Sequence, residues 1–580
     1  VWAFSNRQDW DEGLDPETRA EVHDKLTRFM RGRWFEPPFG GEIFTRLLLG
    51  AFDAMAALPA GPRLLPDVQP LDLFVTVTDF NGHPEILRLN SPPEIVETEH
   101  RLTFAFRDAP GEPGTIGDVP DLVFAARATA SFPGAFPPFG VAELDRVLAA
   151  DGRDWPGRDA FLGRVLPGHA EDAVLIDGSV LANAPFRPAI DALKNRPARR
   201  EVDRRFVYID PKPGIRSVKV NRGGDAELPG FFTTVFGALS DIPREQPIRD
   251  NLEAIEGRSA RIRRMRRIIE ALRPEVEASV AKLFGRTFFL DRPTSSRIAA
   301  WRARAVERAA RDAGHSYSAY RQLRLTAIGK AASGASWKDA MRDPDAFLAA
   351  RDLNYRIRRL RFVARRLATI AEGDPAARLD GVRDAVYRQL ARFLELEVHP
   401  DPAADLPALD AETDAAIAAA LDACDRPDRR APLLAYVGFP FYDVATLALL
   451  QGEGFDEFDA IKIDRISPEE AQSIRGGGAA ATLKGIQFNS FGAFFSRAYR
   501  ENDYLWGRLH GAERLIDILV STLPAPAALA PGVVAAAKTA VFEAILAEEA
   551  PRLSQSAALI ARIREEMASA AGKAGASGLD

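Results

Sequence analysis

A carboxylate at the end of a buried strand, held there by a tight turn, sits where α/β folds place their chemistry. Asp177 stands in that position. It follows the apolar run Val174-Leu175-Ile176, which reads as a buried strand. Gly178 comes next and lets the chain turn sharply. Asn183 and Pro185 follow, and Pro185 can open a helix carrying Ile190 and Leu193. The chemistry such a carboxylate offers is general-base catalysis, the removal of a proton from a nucleophile within hydrogen-bond reach. Asp-Gly alone is a turn signal for backbone reasons, so the surrounding elements must decide.

Those elements alternate. Residues 1 to 58 read as helices, with Leu26, Phe29 and Met30, then Phe44, Leu47, Leu48 and Phe52, at helical spacing. LDLFVTVTDF (71 to 80) is rich in β-branched and aromatic residues and reads as a strand. Ile86 to Leu89 and Leu102 to Phe106 read as further strands, with a hairpin turn at Asn81-Gly82. Leu122 to Ala130 is a short helix of small residues that ends at Ser131-Phe132-Pro133. Phe132, Phe136 and Phe139 are either core or the lining of an apolar groove. RRFVYI (204 to 209) is another strand. Strands alternating with helices specify an α/β layer.

From about residue 216 the pattern becomes long, charged and helical. Leu353, Ile357, Leu360, Ala364 and Leu367 share one face of a helix that also carries Arg356, Arg358, Arg359, Arg361, Arg365 and Arg366. Such a run reads as a solvated face laced with salt bridges, the second reading being a surface for anionic lipid headgroups. The expected division is an α/β domain over 1–215, a helical region over 216–430, a mixed α/β module over 431–525 and a helical tail over 526–580. Gly476 to Gly478 is expected to be a flexible loop, since no Gly-Lys-Ser/Thr follows to make it a phosphate loop.

Composition narrows the function classes. The chain has 580 residues, 46% hydrophobic and 27% charged, with a net charge of −6. That excludes nucleic-acid binding by bulk charge and argues for several soluble domains. Cys424 is the single cysteine, so neither an internal disulfide nor a thiolate cluster can form. The seven histidines are scattered, with no His-x-x-x-His pair on a helix, so no metal and no cofactor are expected. No run of eighteen apolar residues occurs, and a cytoplasmic location is expected, with peripheral membrane contact as the variant. No Gly-x-Ser-x-Gly elbow occurs either; the nearest string, Gly314-His315-Ser316-Tyr317-Ser318, lacks the last glycine and lies among helices.

The segments Ala125 to Pro138 and Val174 to Pro185 resemble the patatin-like phospholipases. More narrowly, LDLFVTVTDFNG, ARATASFPGAFPPF, VDRRFVYIDPKPG, DRISP and the block Phe491 to Leu519 are similar to bacterial patatin-related proteins with a long C-terminal extension. The resemblance runs from about residue 20 to 525. It implies a partial patatin-like three-layer α/β domain followed by a large, mostly α-helical C-terminal region. It also implies a lipid acyl hydrolase working through a Ser-Asp dyad, with a lipid or other acyl ester as substrate. Asp177 would be the base, Gly178 the turn, Asn183 a brace for the loop, and Ser131-Phe132 the family's segment ahead of the aspartate. Ser179 stands where glycine is commoner. The oxyanion loop and the serine elbow would precede Val1, since the sequence opens VWAFSNRQDW without an initiator Met. The alternative is a non-catalytic scaffold or peripheral membrane-binding protein of the same ancestry. Oligomeric state and headgroup preference leave no mark on the sequence.

Overall fold

The computed structural model describes residues 40–59, 61, 65, 70–108, 116–133, 136–182, 186–193, 202–211, 242–285, 292–329, 342–373, 378–401, 403–447, 461–487, 493, 496–523 and 529–576. These residues form a mixed α/β protein with a large helical region, in two compact units. The first gathers the described residues within 1–188, 205–252 and 462–580; the second gathers 189–204 and 253–461. The boundaries therefore differ from those expected at 215/216 and 430/431. The chain leaves the first unit and returns to it, a threading that no local composition change records.

In the first unit, helix α1 (Gly41–Ala56) precedes two long strands, β1 (Leu71–Arg88) and β2 (Glu94–Asp108). Helices α2 (Val119–Thr129), α3 (Val141–Ala150) and α4 (Arg158–Val165) follow, then the short strand β3 (Leu175–Asp177). The sheet order is β2-β1-β3, antiparallel throughout. Along β2 the alternate residues Leu102, Phe104 and Phe106 point into the core, as a half-buried strand requires. They meet Phe124 of α2 and Phe161 of α4, with Phe104–Phe124 and Phe124–Phe161 ring centroids 5.9 and 5.6 Å apart. Leu71 and Leu73 of β1 are exposed. Among the described residues α2 packs on β1 and β3, α4 packs on β2, and α1 packs on α2 and α3.

Asn81-Gly82 does not turn a hairpin. β1 runs straight through it, and the pairing with β2 shifts register between Thr78 and His83. Asn81 donates its backbone N–H to Asp79 Oδ1 (3.1 Å), and Gly82 takes the left-handed backbone (φ 72°) that glycine tolerates. The turn signal is real, but it is used as a bulge.

Helix α5 (Phe186–Leu193) and strand β4 (Arg205–Ile209) come next. The helical unit is built from α6 (Ile242–Phe284, from Glu253 onward), α7 (Ser295–Ala313), α8 (His315–Gly329), α9 (Pro344–Arg351), α10 (Leu353–Gly373), α11 (Asp380–Val398), α12 (Leu406–Asp422) and α13 (Arg426–Thr446). Its core includes Ile357, Leu360 and Leu367 of α10, as their spacing predicts, packed with Val386, Phe393, Tyr436 and Phe439. The remainder belongs to the first unit. Strand β5 (Lys462–Ile466) pairs in parallel with β4, Arg205 opposite Lys462 through Ile209 opposite Ile466. Helices α14 (Gly478–Thr482), α15 (Arg497–Val520), α16 (Val533–Glu549) and α17 (Ala557–Ala576) pack around Leu505, Trp506, Leu509 and Leu546. Gly478, expected in a flexible loop, instead opens α14, where Glu469 accepts the N–H of Ala479 (3.1 Å).

Candidate functional site

Asp177 ends β3, opposite Val77 of β1. Leu175 and Ile176 before it are buried, and Asp177 itself is half-buried. Its carboxylate caps the turn that follows, with Oδ1 accepting the N–H of Ser179 at 2.7 Å. The other carboxylate oxygen makes no hydrogen bond to a described residue. The backbone is held on both sides. Asp177 donates its N–H to the carbonyl of Ser131 (3.1 Å), and its own carbonyl accepts from Thr78 Oγ1 (3.1 Å).

Gly178 is required by space. A Cβ there would lie 2.1 Å from the carbonyl oxygen of Thr76. That carbonyl is itself fixed by the hydroxyl of Thr129 in α2 (2.8 Å). The turn after Asp177 is thus pressed against β1 and could not admit any other residue without moving the strand.

Ser131 is fully buried and belongs to the scaffold of this turn rather than to its surface. Its hydroxyl donates to the carbonyl of Arg127 (2.8 Å) and accepts from Arg127 Nη1 (2.6 Å). Arg127 is also fully buried; Glu143 neutralises it through Nε (3.0 Å), and its guanidinium lies 5.1 Å over the ring of Phe139. The chain of contacts Glu143–Arg127–Ser131–Asp177 therefore sets the height of the Asp177 backbone. Phe136 (7% exposed) and Phe139 (1%) are core residues, with Phe136 stacked on Phe44 at 4.6 Å. Phe132 is half-buried just after Ser131. Asn183 and Pro185 lie outside the described residues.

The histidines are less scattered than their positions suggest. His83 and His169 stack with ring centroids 5.3 Å apart, and both face Asp79; His100 Nδ1 lies 2.8 Å from the Asp79 carbonyl. Asp79, His83 and His169 are positioned to hold a metal ion, a possibility hidden from the sequence because strand pairing and a bulge, not spacing, bring them together.

In the helical unit, the arginine-rich face of α10 is not solvated. Arg356, Arg358 and Arg359 are 3%, 4% and 1% exposed. Arg358 makes a two-pronged pair with Asp443 (2.8 and 3.0 Å), while Arg356 and Arg359 share Asp410 (2.8 and 2.6 Å). Burial pushes the Asp410 carboxyl up, but Arg359, Arg356 and Arg302 outweigh it and hold the group below the usual carboxylate range. Tyr320 donates its hydroxyl to Asp443 (2.6 Å), and burial beside that carboxylate raises its pKa well above the ordinary value. These three arginines are internal charges, so they cannot present a surface to anionic lipid. Arg365 and Arg366 do line a cleft of 420 Å³ with Arg266, Arg273, Phe362 and Tyr442. None of the residues expected at the site lines it.

Residues 397–573 match a family described as "Protein of unknown function (DUF3376)". The matched segment begins in the helical unit and ends in the α/β unit. Over 42 residues the chain is 45% identical to an uncharacterized membrane protein of Mycobacterium tuberculosis, a stretch that covers 7% of this chain and 4% of that protein. No solved structure matches. No helix among the described residues is long and apolar enough to cross a membrane.

Proposed function

We propose that the protein containing this chain is a patatin-type lipid acyl hydrolase in which Asp177 is the base of a Ser-Asp dyad. One observation supports the reading above the others. Asp177 is a half-buried strand-end carboxylate with one oxygen committed to the turn and the other unengaged by described residues. The backbone around it is fixed by Ser131, Thr78 and the enforced glycine at 178.

In this reading the unengaged oxygen takes the proton of the elbow serine hydroxyl that the patatin resemblance implies. The alkoxide attacks the acyl carbonyl, and the alcohol leaves with a proton returned from Asp177. Water, deprotonated by the same carboxylate, then releases the fatty acid. Backbone N–H groups of the oxyanion loop that the resemblance implies hold the oxyanion in both halves. Asp177 needs no histidine relay. The bond from Ser179 fixes its rotamer, and immobility of this kind lets a carboxylate act directly.

A fluorophosphonate probe tests the reading on the full-length protein. Covalent capture at one serine within a Gly-x-Ser-x-Gly segment is expected. Failure to label any serine while the protein remains folded defeats the reading and leaves the scaffold alternative.

A further inference from the structure

We propose that Asp79, His83 and His169 form a binding site for a divalent transition-metal ion, zinc being the best match. The inference is independent of the hydrolase reading. It rests on where three side chains point.

One ligand atom from each of Asp79, His83 and His169 lies within 4.8 Å of the other two, and Asp79 Oδ2, His83 Nδ1 and His169 Nε2 are the polar atoms left over. Each is a buried atom with no hydrogen-bond partner. A single orphaned polar atom is costly enough to be rare, and three that face one another point to a missing common partner. Asp79 is fully buried, so its carboxylate is not there for water. Zinc bonds of about 2.0–2.1 Å at tetrahedral angles place neighbouring ligand atoms about 3.3–3.4 Å apart. Asp79 Oδ2 and His169 Nε2 are already 3.5 Å apart. The separations to His83 are at most 4.8 Å.

On Asp79 and His169 the second polar atom is occupied as a ligand requires. Asp79 Oδ1 is held by the N–H of Asn81 (3.1 Å). His169 Nδ1 lies 3.2 Å from the carbonyl of Pro167, which can only accept, so Nδ1 carries the hydrogen and Nε2 presents its lone pair to Asp79. Outer hydrogen bonds of this kind fix the tautomer of metal-bound histidines.

The backbone is shaped to make the cluster. In a regular strand, residues four apart share a face but lie about 13 Å apart. The bulge at Asn81-Gly82 shortens that interval and brings His83 back to Asp79. His169 comes from the connection between α4 and β3. An ion here would clip the β1 bulge to the segment that leads into Asp177. Two imidazoles and one carboxylate suit zinc, with iron(II), cobalt and nickel as chemical competitors, and the absence of thiolate disfavours copper(I). His169 keeps 22% of its side chain exposed, which gives the ion an entry path and a water for the fourth position.

The rival is a metal-free pair in which a protonated His169 neutralises Asp79. Cobalt titration of the chelator-stripped full chain separates the two. About one cobalt per chain should give visible d–d absorption that zinc abolishes by displacement, and zinc but not magnesium should raise the melting temperature. His169→Gln and Asp79→Asn should each weaken zinc at least about 100-fold, ligand loss being no milder than loss of an outer partner. His510→Gln, at another buried histidine, should leave it unchanged. If Asp79→Asn fails to fold, His169→Gln decides. A folded apo-protein that shows no cobalt spectrum, or zinc affinity that survives His169→Gln, overturns the proposal.

Discussion

Two residues near the proposed site, Gly178 and Arg127, carry separable physical roles. Gly178→Ala places a methyl 2.1 Å from the Thr76 carbonyl, and the clash can be relieved only by moving β1 or the turn. A loss of about 1–3 kcal/mol is expected from overpacking of this kind, read as a lower denaturant midpoint at unchanged slope. Arg127→Met removes a buried cation and strands Glu143 beside it, which should cost about 3–5 kcal/mol in the same measurement. It should also disturb Asp177, because the Ser131 hydroxyl loses its guanidinium donor and keeps only its bond to the carbonyl of residue 127.

His510 makes a pH prediction. Burial lowers its pKa from the usual 6.5 to about 4, with Glu513 pulling weakly the other way. The unfolded chain therefore takes up a proton that the folded chain resists. Stability from this group is complete above about pH 6.5 and falls as pH drops toward 4, by at most about 3 kcal/mol. His510→Gln should flatten that limb of the stability profile, an outcome that urea melts at stepped pH would show.

At the scale of elements, the strands and amphipathic helices were legible, since periodicity reports burial directly. The run ending at Asp177 and the spacing of Ile357, Leu360 and Leu367 were read from sequence and stand in the structure. What was not legible depends on partners far along the chain. Asn81-Gly82 signals a sharp backbone, but whether it closes a hairpin or a bulge depends on which residue β2 offers next, here Glu99 to His83. The arginines of α10 look like surface residues because their counter-ions, Asp410 and Asp443, lie on α12 and α13. Asp443→Ala should accordingly take the two-pronged carboxylate partner from a buried Arg358 and cost about 3–5 kcal/mol, far more than the surface pair the sequence suggested. Double-mutant cycles with Arg358 would show the coupling. Asp79, His83 and His169 escaped notice for the same reason, since no fixed spacing describes a strand bulge meeting a loop.

At the scale of the whole molecule, the α/β unit is assembled from distant parts of the chain. β4 pairs in parallel with β5 across more than two hundred residues of helical insertion. Composition shifts mark where helices become frequent, but not where the chain re-enters an earlier unit, so the sequence suggested consecutive domains. A chain ending at Ile461 should lose protection from hydrogen exchange at Arg205–Ile209, because β4 loses its paired strand, while α10 and α13 keep theirs. Equal protection in both chains would mean that β4 is held by something other than β5.

The central claim concerns one oxygen of Asp177. The direct measurement is kcat/KM for a long-chain acyl ester, compared between the full-length protein and its Asp177→Asn variant. The amide keeps the size of the side chain and its bond to Ser179 but cannot take a proton. The account expects a fall of at least about 10²-fold, the lower range for general-base catalysis, with the melting temperature preserved. A variant that turns over at the native rate would contradict it.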